Sequence, residues 1–151
     1  MKYFPGNGHI KNVVNRMIDE KKVLIVCTHN AVRSQMSEAV INRDMEGWRA
    51  VSAGSDPRSP NPLVLELLDA EGYDVRGMRS KHIDEVLDDS VDMVIFVCGE
   101  ADSCVHLNVP VPRVRFPLPD PVALADNDDD RRRGLEDLLH RIRSELPGIL
   151  R

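Results

Sequence analysis

The chain has 151 residues, and 20 Lys and Arg stand against 25 Asp and Glu, for a formal net charge of −5. That length suits one domain with one core, and its apolar runs fall well short of the ~20 residues that cross a bilayer. The negative charge and an aromatic content of 4% argue against a nucleic-acid partner. No secretory signal pattern precedes the first strand, so we expect a cytoplasmic location, where three cysteines indicate thiol chemistry or buried residues rather than a disulfide framework.

The first part of the chain contains a helical pattern followed by a strand. Apolar residues recur at helical spacing over 10–20, which predicts an N-terminal helical extension at 1–20 ahead of a single domain at 21–151. Residues 22–26 read Lys-Val-Leu-Ile-Val, a run typical of a strand buried on both faces of a parallel sheet. This strand ends at Cys27.

Strand and helix patterns then alternate to the end of the chain. In order, the sequence predicts a helix at 34–46, a strand at 48–53, a helix from Pro62 to Gly72, a short helical piece at 83–87, a strand at 91–97, a weaker strand at 114–116 and a helix beginning near Asn127. Alternation of this kind predicts an α/β fold with a doubly wound parallel sheet. Ligands bind at the carboxyl ends of such strands, so Cys27, Cys98 and Asp120 should lie along one edge.

The loop between the first strand and its helix carries the strongest functional signal. A loop that wraps into a helix N-terminus points several backbone N–H groups into one hollow that favours an anion. Cys27 stands at its mouth, where a thiolate is stabilised, and Arg33 can clamp a tetrahedral oxyanion with two N–H groups. Taken alone, the same residues also fit a buried strand-end cysteine and a solvated arginine. The other residues assigned to this oxyanion loop are Thr28, His29, Asn30, Ala31, Val32 and Ser34.

The loop and several short motifs together resemble the low-molecular-weight tyrosine phosphatase superfamily, and within it the thioredoxin-coupled arsenate reductases. The matching segments are residues 23–38, Ser52-Ala53-Gly54, Asn61-Pro62, Gly72-Tyr73-Asp74-Val75, Arg79-Ser80-Lys81 and Pro119-Asp120-Pro121. The resemblance covers residues 22 to about 146 and implies a three-layer fold with a four-stranded parallel sheet. Residues 1–20 lie outside it and have no assigned role.

The resemblance implies roles for individual residues. Cys27 would be the nucleophile and Arg33 the oxyanion clamp, while Asp120, held between two prolines, would be the general acid that protonates the leaving oxygen. Cys98 and Cys104 would form a thiol–disulfide relay with Cys27 that passes oxidation to thioredoxin. From the residues alone, Asp120 also fits a turn residue, Cys98 a buried strand cysteine and Cys104 a loop thiol.

Three functions therefore share this pattern: an arsenate reductase, a phosphotyrosine phosphatase, and an oxyanion or redox sensor without turnover. Gln35 follows Arg33-Ser34 as in the reductases, where the phosphatases usually have Pro. Residues 55–61 contain no aromatic side chain, and Val122 follows Asp120-Pro121 where those phosphatases usually have Tyr, so a wall for an aryl substrate is missing. These features favour the reductase.

The resemblance also implies a potassium site in part of the reductase family. The matching positions, all with oxygen-bearing side chains that a hard cation prefers, are Asn30, Glu38, Ser52 and Asp74.

Two features depart from the reductase pattern. His29 replaces a common Gly, at a point where unusual backbone angles are expected. The Cys98 to Cys104 interval is one residue shorter than usual, and Val105 replaces Pro. A mycothiol- or glutaredoxin-type partner is therefore an alternative to thioredoxin.

Overall fold

The computed structural model describes residues 20–98, 107 and 109–150, so residues 10–19 of the predicted N-terminal helix and Cys104 lie outside the described residues. The strands are β1 (Lys21–Cys27), β2 (Trp48–Gly54), β3 (Met93–Phe96) and β4 (Arg113–Arg115). The helices are α1 (Arg33–Asp44), α2 (Pro62–Ala70), α3 (Ile83–Val86), α4 (Pro121–Leu124) and α5 (Asp128–Ile149). No helix within these described ranges is both long and apolar enough to span a membrane.

The four strands form one parallel sheet in the order β2-β1-β3-β4. Near the carboxyl end of β1, Val26 is paired with Ala53 on β2 and with Phe96 on β3. This architecture confirms the predicted α/β fold with a four-stranded parallel sheet. It also places the residue after Val26, Cys27, at the centre of the sheet edge.

β1 is central because its side chains are apolar on both faces. Val23 and Ile25 pack into the larger core cluster, which includes residues of α1, α2 and α5. Leu24 and Val26 pack into a smaller cluster on the opposite face, which includes Ile83 of α3. All four side chains are completely buried, and burial of each contributes about 1.5–3 kcal/mol. The free energy of burial therefore favours this strand in the middle of the sheet.

The short helix α4 was not predicted, because a Pro-Asp-Pro sequence is typical of a turn. Asp120 is its N-cap, and its Oδ1 accepts hydrogen bonds from the backbone N–H groups of Val122 (3.1 Å) and Ala123 (3.4 Å). Pro121 occupies the first helical position, where its missing N–H costs nothing. α4 packs against α5 at Gly134, where a Cβ would lie 2.5 Å from Cβ of Pro121. The close approach between these two helices helps determine the position of Asp120.

We expect Gly134→Ala to destabilise the protein. The added methyl group forces α4 and α5 apart, at a cost of about 1–3 kcal/mol, which exceeds the gain in helix propensity of about 1 kcal/mol. Gly148→Ala in the same helix is the matched control, because nothing lies within 4 Å of its Cβ position. Urea unfolding should show a lower midpoint for Gly134→Ala and an unchanged or higher midpoint for Gly148→Ala. A midpoint for Gly134→Ala at or above that of the control would contradict the close packing.

Candidate active site

The candidate site begins where β1 ends. Cys27 is buried, and the chain crosses to α1 through residues 28–32. Val32 is the N-cap of α1, but no side chain caps this helix end. The first N–H groups of a helix have no partner within it and form the positive end of its dipole. The amino end of α1 is therefore available to an anion at the loop.

The carbonyl oxygens of this loop are hydrogen-bonded to neighbouring segments. Three bonds come from the chain after β2: the N–H of Asp56 donates to Thr28 O (2.9 Å), that of Arg58 to His29 O (2.9 Å) and that of Asn61 to Ala31 O (3.0 Å). In a trans peptide the C=O and the following N–H point in opposite directions. Since the carbonyls are bound on one side, the N–H groups of residues 29, 30 and 32 point to the other side. This arrangement lines one side of the loop with backbone N–H groups, as in backbone hollows that bind anions in other proteins.

Cys27 lies within hydrogen-bonding distance of two donors. The N–H of Asn30 donates to its Sγ at 3.2 Å, and Ser34 Oγ lies 2.8 Å from the same sulfur. Ser34 Oγ also accepts from Asn30 Nδ2 at 2.8 Å, so its own hydrogen is free to point at the sulfur. Both groups can therefore donate a hydrogen bond to the sulfur of the predicted nucleophile.

Asn30 has the left-handed backbone angle of the loop, with φ of 51°. Asn is among the few residues other than Gly that adopt this conformation at little cost. Its side chain fixes the loop further, because Oδ1 accepts the N–H of Lys81 at 2.9 Å. The unusual angle expected at His29 thus occurs one residue later. The His29 side chain is partly exposed, and its Nδ1 lies 3.0 Å from Asp56 O.

Gln35 is a completely buried polar residue that joins two segments. Its Nε2 lies 2.9 Å from both Asn30 O and Arg79 O, and Ser80 Oγ donates to the same Asn30 oxygen at 2.6 Å. In the sequence, Gln35 served only to distinguish reductases from phosphatases. Its structural role depends on Arg79, 44 residues away. The one sequence signal for this role was a polar residue on the buried face of a predicted helix.

Gly54 allows β2 to approach the loop closely. A Cβ at this position would lie 2.4 Å from Thr28 O and 3.0 Å from Asn30 N. The Ser-Ala-Gly motif of the sequence therefore has a steric reason, since any side chain here would displace the loop backbone.

Arg33 and Asp120 are linked through the segment after β4. Arg33 is 4% exposed, and one of its terminal N–H groups donates to Leu118 O at 3.3 Å. Asp120 follows two residues later and is half-buried. Both of its hydrogen bonds to α4 use Oδ1, so the cap does not require Oδ2.

Cys98 follows β3 and lies beside β1. It is 1% exposed, and its Sγ is 3.8 Å from Val26 O, the carbonyl that precedes Cys27. Cys98 is disulfide-bonded, whereas Cys27 is a free cysteine. Cys104, the third cysteine, lies outside the described residues.

The four residues matched to a potassium site have different surroundings. Glu38 Oε1 accepts the N–H of Ser52 at 2.6 Å, and Asn30 Oδ1 is already bound by Lys81. Ser52 Oγ is buried and has no hydrogen-bond partner among the described residues.

Asp74 is exposed, and hydrogen bonds from Arg76 lower its pKa to about 2. Its two carboxylate oxygens are thus bound to Arg76 on the surface. Within the described ranges, no three His, Cys, Asp or Glu side chains are grouped as a metal centre.

The chain is similar to known proteins along most of its length. The sequence profile described as low molecular weight phosphotyrosine protein phosphatase matches residues 22–146. The chain belongs to this phosphatase family. Arsenate reductases are among its relatives. An arsenate reductase of Bacillus cereus strain G9842 is 32% identical over 107 residues, which cover 70% of this chain and 80% of the relative.

Solved structures of arsenate reductases are also similar to this chain. An arsenate reductase of Archaeoglobus fulgidus is 33% identical with a TM-score of 0.68, and covers 83% of this chain and 98% of its own. A thioredoxin-dependent arsenate reductase of Corynebacterium glutamicum is 25% identical with a TM-score of 0.60, and covers 95% of this chain and 72% of its own. The predictions of an enzyme and of this family are thereby confirmed.

We expect Gln35→Leu to weaken anion binding in the loop. The substitution keeps the volume but removes the donors to Asn30 and Arg79, which leaves two buried carbonyls with fewer partners. Sulfate affinity measured by calorimetry should fall about tenfold, as for other residues that hold ligating groups in place. Ser37→Ala is the control, because this buried hydroxyl donates to Arg33 O of its own helix. We expect its loss to leave the sulfate affinity within about twofold. Equal effects of the two substitutions would argue against a specific role for Gln35.

Proposed function

We propose that this chain is an arsenate reductase in which Cys27 attacks the oxyanion and a three-cysteine relay returns the oxidised enzyme to its starting state. The observation that carries the proposal is the second sulfur, Cys98, against the carbonyl of Val26 at the edge that holds Cys27. A phosphatase needs no such thiol, because water hydrolyses its covalent intermediate. The arsenate reductases among the relatives support the same reading.

In the first step, the hollow would bind the tetrahedral oxyanion with backbone N–H groups and Arg33. The Cys27 sulfur then forms a bond to As(V), and one oxygen of arsenate leaves as water after accepting a proton from Asp120. Ser34 and the N–H of Asn30 would donate hydrogen bonds to the sulfur before the attack. Developing charge on the oxyanion is stabilised by groups already in place, which is the main requirement for such catalysis.

In the second step, the Cys98 thiolate would attack the Cys27 sulfur. A bond forms between these two sulfurs, the bond between Cys27 and arsenic breaks, and its electron pair stays on arsenic, which leaves as As(III) in arsenite. Two electrons have then moved from the two thiols to arsenic. Cys104 would attack Cys98 next, releasing Cys27 as a thiolate and leaving a Cys98–Cys104 disulfide. A free Cys27 beside an oxidised Cys98 is consistent with this last state.

A dithiol protein such as thioredoxin would reduce the final disulfide. The thioredoxin-dependent arsenate reductase of Corynebacterium glutamicum supports this choice over a mycothiol- or glutaredoxin-type partner. The electron balance is two electrons from the dithiol for each arsenate reduced. The potassium site at Asn30, Glu38, Ser52 and Asp74 stays a prediction.

We expect Cys98→Ser to separate reduction from phosphate-ester hydrolysis. With thioredoxin, thioredoxin reductase and NADPH, this variant should show no arsenate turnover above background, since no second thiol can release Cys27. Hydrolysis of para-nitrophenyl phosphate should remain within about twofold of wild type, because only the loop, Arg33 and Asp120 take part. Cys27→Ser is the control and should lose both activities. Arsenate turnover that survives in Cys98→Ser would refute the relay.

A phosphotyrosine phosphatase is the second candidate, because the family match rests on the same loop. That function would be supported if wild type hydrolysed aryl phosphates rapidly and reduced no arsenate. A protein with neither activity that still bound sulfate would instead be a sensor.

Asp120→Asn should test the general acid without disturbing the fold. Asn is as good an N-cap as Asp, so α4 keeps both hydrogen bonds while the proton donor is lost. The rate of the first chemical step, measured in a single turnover near neutral pH, should fall by about 10²–10⁴-fold. The thermal unfolding midpoint should stay within about 2 °C, on the order of a few tenths of a kcal/mol. A variant with unchanged rate would remove Asp120 from the mechanism.

A further inference from the structure

Beside Glu38, one of the residues matched to a potassium site, the protein already has a positive charge, the ammonium of Lys81. Lys81 is 9% exposed, and its Nζ donates to Arg79 O at 2.9 Å and lies 3.8 Å from Glu38 Oε1. Buried lysines are rare and need a partner, because removal of an ammonium from water is costly. Glu38 is such a partner, since only 17% of its side chain is exposed.

Two of the oxygens that would hold a potassium ion, on Asn30 and Glu38, are engaged by Lys81 and its neighbours, whereas Ser52 Oγ has no hydrogen-bond partner among the described residues. Asn30 Oδ1 accepts one hydrogen bond from the backbone N–H of Lys81 at 2.9 Å and another from the side-chain Nε2 of Gln35 at 3.3 Å. Glu38 Oε1 accepts the N–H of Ser52 and faces the Lys81 ammonium. A potassium ion and an ammonium group have the same charge and similar size, and both prefer oxygen partners. The fourth matched residue, Asp74, is bound to Arg76 instead.

A second cation in the segment, Arg79, does not compete for this place. Its guanidinium is exposed and bonds to Glu85 at 3.1 Å. The backbone oxygen of Arg79, in contrast, receives both the Lys81 ammonium and Gln35 Nε2. Lys81 thus joins this segment to α1 through Glu38 and to the oxyanion loop through Asn30.

We propose that Lys81 is a positioning residue that takes the place of an alkali cation, so that the oxyanion loop of this chain is independent of potassium. The ammonium balances the charge of Glu38, which would otherwise oppose an anion in the adjoining loop. Its backbone N–H holds the Asn30 side chain, whose Nδ2 donates to Ser34 Oγ, and the backbone N–H of the same Asn30 donates to the Cys27 sulfur. The proposal rests on the proposed function only in requiring an oxyanion in this loop.

The test measures sulfate binding by calorimetry and thermal unfolding in potassium chloride and in choline chloride at equal ionic strength. Neither measurement requires arsenate reduction, so a failure of the reductase proposal would not affect this test. For wild type we expect the same sulfate affinity and the same unfolding midpoint in both salts. Lys81→Ala, which leaves space at the ammonium position, should bind sulfate about tenfold more weakly in choline chloride.

Rescue distinguishes a cation position from a merely structural lysine. Potassium chloride or propylammonium chloride should restore most of the sulfate affinity of Lys81→Ala, while choline is too large to do so. Lys22→Ala is the matched control. Lys22, near the start of β1, is also a largely buried lysine, but its ammonium donates to Ser90 Oγ. The Lys22→Ala variant should therefore behave as wild type in both salts.

Three results would overturn the proposal. The first is a potassium-specific rise in the affinity or unfolding midpoint of wild type. The second is wild-type sulfate affinity of Lys81→Ala in choline chloride. The third is a loss of affinity that neither cation restores. If Lys81→Ala does not fold, the wild-type comparison and Lys81→Arg, which keeps the charge and should stay independent of potassium, decide the question.

Discussion

The outward hydrogen bonding of the loop carbonyls is the constraint on which the site depends. The chain after β2 binds three of these oxygens, and Gln35 and Ser80 bind the carbonyl of Asn30 between them. Because each peptide is planar, every carbonyl held outside turns the next N–H inside. The N–H dipoles that point into the hollow repel one another, so a free loop would not keep this shape. The surrounding hydrogen bonds must therefore hold the loop in place before any anion binds. Such preorganisation means that little reorganisation is needed when charge develops during the reaction.

Other features of the molecule serve this same loop. Gly54 lets β2 come close enough for its following segment to reach the carbonyls. The left-handed Asn30 reverses the chain so that its N–H meets the Cys27 sulfur. A few buried charges are the cost of this compact arrangement, and Lys81 facing Glu38 shows how one of them is balanced. Burial of paired charges stabilises a protein little, but loss of one partner is expensive. The charges near this loop are therefore better understood as determinants of its geometry than as sources of stability.

The parallel sheet shows how a phosphatase fold would accommodate the proposed redox chemistry. β1 lies between β2 and β3, so the residues that follow β1 and β3 emerge at the same edge. Cys27 and Cys98 occupy these two positions, and the Cys98 sulfur lies against the carbonyl that precedes Cys27. In the proposed mechanism, the oxyanion loop, the arginine and the acid serve either a phosphate ester or arsenate. A sulfur at the neighbouring strand end is the addition that distinguishes the reductase chemistry, and it needs no change in the fold.

Most of the fold could be predicted from the sequence, because its signals are local: the apolar run of β1, the Asn127 cap of α5 and the proline that begins α2. The loop could also be located, since its position between a buried strand and a helix implies exposed N–H groups. Tertiary structure alone decided α4, because its cap and its contact with Gly134 compete against a Pro-rich turn. It also decided which oxygens are engaged near the loop. Lys81 binds Asn30 across 51 residues, while Asp74 binds Arg76 two residues away. Contacts between distant segments depend on how the elements pack together, and a residue's type and neighbours in the chain do not contain that information.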